Sequence, residues 1–182
     1  MSQAAIILAE GFEEIEALSV ADILRRGGVN TQIVGLESGI VTGAHGITVG
    51  ADLVFESVNF AALDLIVLPG GLPGATNLAK SAKLQAKLKQ MKSAGKTVAA
   101  ICAAPWALEA AGVLGKKYTC YPGCEAKLGE GYEAGANVVE DGNVVTSKCP
   151  ATAMEFGLAL LARLEGEEKA KEVKNGLEGA IF

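Results

Sequence analysis

A recurring unit restricts this chain more than any other feature: a short apolar run, stopped by a glycine or polar corner and followed by a helical pattern. AAIILA at 4–9 opens the series, and LDLIVLPGG at 63–71 and TVAAI at 97–101 repeat it. Apolar runs this short suit strands buried on both faces, the environment of a parallel sheet. Residues 13–28 place Ile15, Leu18, Ala21, Ile23 and Leu24 near helical spacing, with acidic residues in the first turn and Gly27-Gly28 as a stop. Residues 29–36 read as the second strand, 76–94 as a helix rich in lysine and alanine, and 151–164 and 167–177 as closing helices. The segment 40–58 alternates in short pieces around glycines and suggests a β-hairpin excursion; 137–146 suggest a hairpin turning at Asp141-Gly142. This alternation predicts an α/β protein, a mainly parallel sheet with helices on both faces. With no linker, repeat or low-complexity tract, 182 residues predict one domain over 1–182.

Charge narrows the partners. Sixteen basic and 21 acidic residues give a formal net charge of −5. With no basic cluster, neither nucleic acid nor an anionic membrane is expected as a partner. The N-terminal stretch turns acidic after its apolar run, so it reads as neither a signal peptide nor a membrane span. A cytoplasmic location follows, and there the four cysteines are expected as reduced thiols. Cys120 and Cys124 flank a Tyr-Pro-Gly turn, but a reducing compartment disfavours a disulfide between them. A zinc site takes four ligands, and three cysteines with one distant histidine are thin support for it.

In open α/β sheets, chemistry gathers at the carboxyl ends of the strands. Three such ends are loaded here: LAEGFEEIE after the first strand, LPGGLPGATN after Leu68, and ICAAP after Ile101. Cys102 stands on the corner between a buried strand and a helical stretch. A helix N-terminus favours an anion and lowers a thiol pKa, so Cys102 is expected to titrate below an ordinary cysteine. A thiolate attacking a carbonyl needs donors for the developing oxyanion; the Gly70-Gly71 N–H groups offer one and Ala103 another. Because no G-x-G-x-x-G is present, a nucleotide-binding module is disfavoured. The sole histidine, His45, sits in the hairpin excursion as a solvated side chain, a poor place from which to reach Cys102. Glu13, Glu14 and Glu16 begin the first helix. Glu16 lies about 200° around the helix from Glu14, so Glu16 is expected to face the sheet and the other two to face water. A carboxyl buried beside a thiolate stays protonated and donates a hydrogen bond.

The blocks LAEGFEEIEA, VLPGGLPGATNL, VAAICAAPWAL and TSKCPATAMEFGLALL resemble those of the ThiJ/PfpI superfamily, nearest the branch of the parkinsonism-associated protein deglycase. The resemblance covers essentially the whole chain in order. It implies a flavodoxin-like three-layer sandwich, a homodimer, and no metal or organic cofactor. It matches Cys102 to the reactive nucleophile, Glu16 to its protonated partner, and Gly71 and Ala103 to backbone donors. Gly70 and Pro150 complete the expected oxyanion and substrate-binding set. The implied activity is a cofactor-independent glyoxalase or protein deglycase acting on 2-oxoaldehydes or early glycation adducts. The alternative is an oxidative-stress sensor or chaperone whose output is Cys102 oxidation.

Three departures bear on that reading. Ala103 stands where the protease-like branch has histidine, so peptide hydrolysis is not expected. Tyr121 stands where some deglycase relatives have histidine, which leaves Glu16 as the acid–base group. Cys149-Pro150-Ala151-Thr152 replaces a glycine-richer loop, and fewer glycines there narrow the expected pocket.

Overall fold

The computed structural model describes residues 1–179; the last three positions of the expected 1–182 unit lie outside the described residues. The chain begins with β1 (Gln3–Leu8), α1 (Glu14–Arg26) and β2 (Asn30–Gly35), then the hairpin β3 (Ile40–Thr42) and β4 (Thr48–Gly50). It continues through β5 (Leu53–Val54), β6 (Leu65–Leu68), α2 (Gly74–Lys80), α3 (Ala82–Ser93), β7 (Thr97–Ile101) and α4 (Pro105–Ala110). Finally come β8 (Val138–Asp141), β9 (Val144–Ser147), α5 (Ala153–Glu165) and α6 (Glu167–Leu177).

Seven of these strands form one sheet in the order β5-β2-β1-β6-β7-β9-β8. Every pairing in it is parallel except β8 with β9. Every residue of β6 and β7 is buried, which explains their unbroken apolar character. Side chains alternate between two cores. Ile6, Leu8, Val67 and Ile101 meet α1, α5 and α6 on one face, while Ala5, Ile7, Ile66 and Ala100 meet α2, α3 and α4 on the other. The result is the three-layer α/β sandwich expected from the sequence.

Local details depart from the expectations. The helix expected at 76–94 is two helices. Ser81 is extended (ψ 103°), and its hydroxyl accepts from the Leu84 N–H to cap α3. The excursion at 40–58 is a hairpin only as far as Gly50; Leu53 and Val54 then join the main sheet beside β2. The hairpin at Asp141-Gly142 forms, and its second arm enters the main sheet next to β7. The apolar stripe of α1 divides. Ala17, Val20, Ala21, Ile23 and Leu24 are buried, whereas Ile15 and Leu18 are 57% and 37% exposed.

Close packing of α1 on α5 depends on a missing side chain. A Cβ at Gly157 would come within 2.9 Å of Ile23 Cδ1. Gly157→Val is therefore expected to destabilise the protein by about 1–3 kcal/mol through overpacking, seen as a lower denaturant midpoint at unchanged slope. An unchanged midpoint would show that Ile23 moves aside freely.

Candidate active site

The loops after β1, β6, β7 and β9 meet at one edge of the sheet. The Glu13 N–H donates to Gly70 O at 2.9 Å, the Cys102 N–H to Ser147 O at 3.0 Å, and the Tyr121 N–H to Cys102 O at 2.9 Å. Cys102 follows the last residue of β7 and has φ +65°, the sole positive φ outside glycine among the described residues. For an L-residue that conformation costs roughly 1–2 kcal/mol, and such strain is retained where the surroundings enforce it. Here the surroundings are tight: a Cβ at Gly70 would come within 2.7 Å of Cys102 Cβ, 2.9 Å of Glu16 Oε2 and 3.1 Å of Ala103 N. Only glycine lets these groups approach.

Glu16, on the first turn of α1, is fully buried. Its Oε2 accepts the Gly70 N–H at 2.7 Å. Oε1 is also buried but meets no N–H or O–H donor; the Cys102 side chain is the group that interacts with this carboxyl. The backbone N–H groups of Gly71 and Ala103, the two donors expected at this position, favour the ionised form of the Cys102 sulfur. Gly70 takes a different place, because its N–H is committed to Glu16 and is not free for an oxyanion. Pro150 starts a short 3-10 turn after β9, on the same sheet edge. Lacking an N–H, it offers shape and not a donor.

The protonation of the pair differs from the expectation of a thiol depressed by a helix end. The helix α4 is six residues long and starts at Pro105, beyond the cysteine. Burial pushes the Cys102 thiol up, and an ionised Glu16 beside it pushes it further, against the lowering pull of the Gly71 and Ala103 N–H groups. Burial likewise raises the Glu16 carboxyl to about 7. Two acids in contact in so dry a place lose their protons in two steps that belong to the pair. The first leaves near neutrality; the second is opposed by placing two negative charges side by side. The hydrogen bonds decide where the single charge rests. Two N–H groups favour ionised sulfur, and a proton on Glu16 Oε1 turns an atom without a partner into a donor toward sulfur. The monoanion expected on these grounds is a thiolate beside a neutral carboxyl.

The other two glutamates were misjudged from sequence. Glu13 and Glu14 are 6% and 4% exposed. Glu14 accepts from the His45 N–H at 2.7 Å, from the Ile47 N–H at 3.3 Å and pairs with His45 Nδ1 at 2.8 Å, tying the β3–β4 loop to α1. Glu13 caps α1 by accepting the Glu16 N–H at 2.7 Å. One ligand-type atom from each of Glu13, Glu14 and His45 lies within 4.8 Å of the others. Their hydrogen bonds read as a structural tether and not as a metal centre. All four cysteines are free thiols.

A parallel sheet that strains its backbone to hold a thiol over its carboxyl edge places the chain in the class of α/β proteins with a cysteine elbow. Within that class the DJ-1/PfpI family pattern matches residues 2–163, and the chain belongs to this family. The crystal structure of Drosophila melanogaster DJ-1beta superposes with a TM-score of 0.93 at 40% identity, covering 97% of this chain and 98% of that one. A glutathione-independent glyoxalase of Caenorhabditis elegans, DJR-1.2, is 36% identical over 166 residues, 90% of this chain and 89% of its own. A deglycase of Pyrococcus abyssi is 40% identical over 149 residues, 80% of this chain and 89% of its own.

The pair has a measurable signature. The rate of Cys102 alkylation by iodoacetamide, followed on the Cys102 peptide, is expected to rise with a midpoint near 7, where the pair loses its first proton. Glu16→Leu removes the neutral donor toward sulfur, so its midpoint is expected at higher pH, whereas Glu16→Gln keeps an N–H donor and is expected to stay near the wild type. A Glu16→Leu midpoint at or below that of the wild type would contradict the shared proton.

Proposed function

We propose that this chain is a cofactor-independent glyoxalase or deglycase acting on 2-oxoaldehydes or early glycation adducts, with Cys102 as nucleophile and Glu16 as the proton carrier. The observation that carries the reading is the contact between a thiol at positive φ and a fully buried carboxyl. Such a pair supplies a nucleophile and an acid at the same pH. The similarity to a glyoxalase of Caenorhabditis elegans and a deglycase of Pyrococcus abyssi supports this class of activity.

In the proposed reaction, the Cys102 thiolate adds to the aldehyde carbon of the 2-oxoaldehyde. The oxygen gains charge beside the N–H groups of Gly71 and Ala103 and takes the proton held by Glu16, giving a hemithioacetal and a Glu16 carboxylate. That carboxylate removes the proton from the former aldehyde carbon and delivers it to the neighbouring carbonyl oxygen as the electrons shift toward it, giving an enediol and the Glu16 carboxylate again. Glu16 then takes the hydroxyl proton from the sulfur-bearing carbon and passes it to the adjacent carbon, which leaves a thioester of a 2-hydroxy acid. Water cleaves it, restoring the Cys102 thiol and releasing the acid. A single acid–base group limits the rate, since each positioned group contributes about 10²–10⁴-fold. Nothing in the scheme requires a cofactor.

The whole of 1–182 is proposed as one domain, since Ala170 and Val173 of α6 join the same core as β1. A cytoplasmic location is also proposed; no helix among the described residues is long and apolar enough to cross a membrane.

On purified protein, methylglyoxal is expected to yield lactate, and Cys102→Ser to abolish it. Glu16→Gln is expected to lose turnover because an amide cannot accept the carbon-bound proton. Glu16→Asp, short by one methylene, is expected to lose roughly a hundredfold. Turnover by Glu16→Gln at the wild-type rate would remove Glu16 from the chemistry, and a sensor whose output is Cys102 oxidation would be the better reading.

We further propose a homodimer that covers the exposed side of α1. Ile15 and Leu18 lie outside the core beside the tethered β3–β4 loop, where Ile47 is 54% exposed. Exposed apolar residues grouped on one side mark an interface. Light scattering at micromolar concentration is expected to show a dimer that Ile15→Glu dissociates; a monomeric wild type would contradict this.

A further inference from the structure

Three hydrogen bonds close a ring around the buried carboxyl. The Glu13 N–H donates to Gly70 O at 2.9 Å, the Gly70 N–H donates to Glu16 Oε2 at 2.7 Å, and the Glu16 N–H donates to Glu13 Oε2 at 2.7 Å. The ring joins the loop after β6 to the first turn of α1, so neither end of the Glu16 residue moves without the other. Gly71 closes on the same place: a Cβ there would come within 2.5 Å of Glu13 N.

Capping alone does not explain the residue at position 13. Helix N-caps favour serine, threonine, aspartate and asparagine, whose short side chains reach back to the N2 or N3 amide. Glutamate is longer, loses more rotamer freedom when fixed, and here keeps its carboxylate 6% exposed. What it brings beyond a cap is a charge held next to the Glu16 backbone.

We propose that Glu13 is a positioning residue for the Cys102–Glu16 pair: it fixes the Glu16 carboxyl through the ring and sets, by its charge, the pH at which Cys102 becomes nucleophilic. The inference rests on reading Cys102 and Glu16 as the working pair. The groups facing Glu16 are few. Cys102 approaches from the turn after β7, the Gly70 N–H from the loop after β6, and Glu13 from the cap of α1. Of these, Glu13 is the remote carboxylate that opposes ionisation of Glu16. Glu13 itself faces His45 Nδ1 at 3.9 Å, but that ring is 70% exposed and sits closer to Glu14, at 2.8 Å. His45 is thus shared between Glu14 and Glu13, and it offsets only part of the Glu13 charge.

The sign of the effect follows. A fixed negative charge makes every further negative charge nearby harder to form, whether it rests on Glu16 or on Cys102. Removing it lets the pair ionise at lower pH. Alkylation of Cys102 by iodoacetamide, read on the Cys102 peptide across pH, is the measurement. Glu13→Gln keeps an acceptor without charge, Glu13→Ser keeps a preferred cap without charge, and Glu13→Asp keeps both cap and charge. Gln and Ser are expected to lower the midpoint by about half to one pH unit, and Asp to stay within about 0.2 unit of the wild type. Midpoints for Gln and Ser that coincide with the wild type would overturn the proposal, leaving Glu13 as a plain cap. So would an Asp variant that shifts as far as Gln. The readout uses no substrate. Shifted midpoints in a protein without methylglyoxal turnover would remove the glyoxalase reading alone. Turnover with unshifted midpoints would remove the role of Glu13 alone.

Discussion

A half-buried thiol in contact with a fully buried carboxyl holds one negative charge easily and a second one only at great cost. The architecture of the sheet edge serves that constraint. Position 70 must be glycine because a side chain there would occupy the space of Cys102 Cβ and Glu16 Oε2. Cys102 is held at positive φ, and the Gly71 and Ala103 amides favour its ionised sulfur. Burial of Glu16 in turn raises the cost of ionising it, which is what the proposed transfer of its proton to a substrate oxygen requires.

Such a site weakens the fold at high pH. The folded pair gives up its first proton at about 7, whereas a free glutamate gives up its own at 4.5, so the native state binds that proton more tightly than the unfolded chain does. The contribution is fully present below 4.5 and is lost as pH rises through about 7. By linkage it amounts to roughly 3 kcal/mol, a sizeable part of the stability of a domain this size. The rest of the fold offsets it with two apolar cores and a continuous parallel sheet.

The parts of this structure that were legible in the sequence are those whose environment is uniform. Residues 65–68 and 97–101 read as buried strands because a strand covered on both faces admits little but apolar side chains. Cys102 and Glu16 drew notice by their positions, a thiol on a strand corner and an acid about 200° from its neighbour on a helix. Partners distant in sequence were not legible. Glu13 and Glu14 look like ordinary helix-start acids until the loop at 45–47 supplies donors to one and Gly70 joins the other in a ring. The direction of the Gly70 N–H, toward Glu16 and not toward a substrate, depends on a peptide orientation that residue types do not specify. The part assigned to a helix end at Cys102 was misjudged for a related reason: the length of α4 and the distance of its start from Cys102 determine how much of a helix dipole the sulfur feels, and α4 is short.

The central claim is that Glu16 stays protonated while Cys102 is ionised. Infrared difference spectra between wild type and Glu16→Gln, recorded just above neutral pH alongside thiolate ultraviolet absorbance on the same samples, test it most directly. The account requires a neutral carboxylic-acid C=O band that belongs to Glu16, present in the same wild-type sample that shows the Cys102 thiolate. Carboxylate bands from Glu16 together with an un-ionised Cys102 thiol would place the charge on the wrong partner and contradict it.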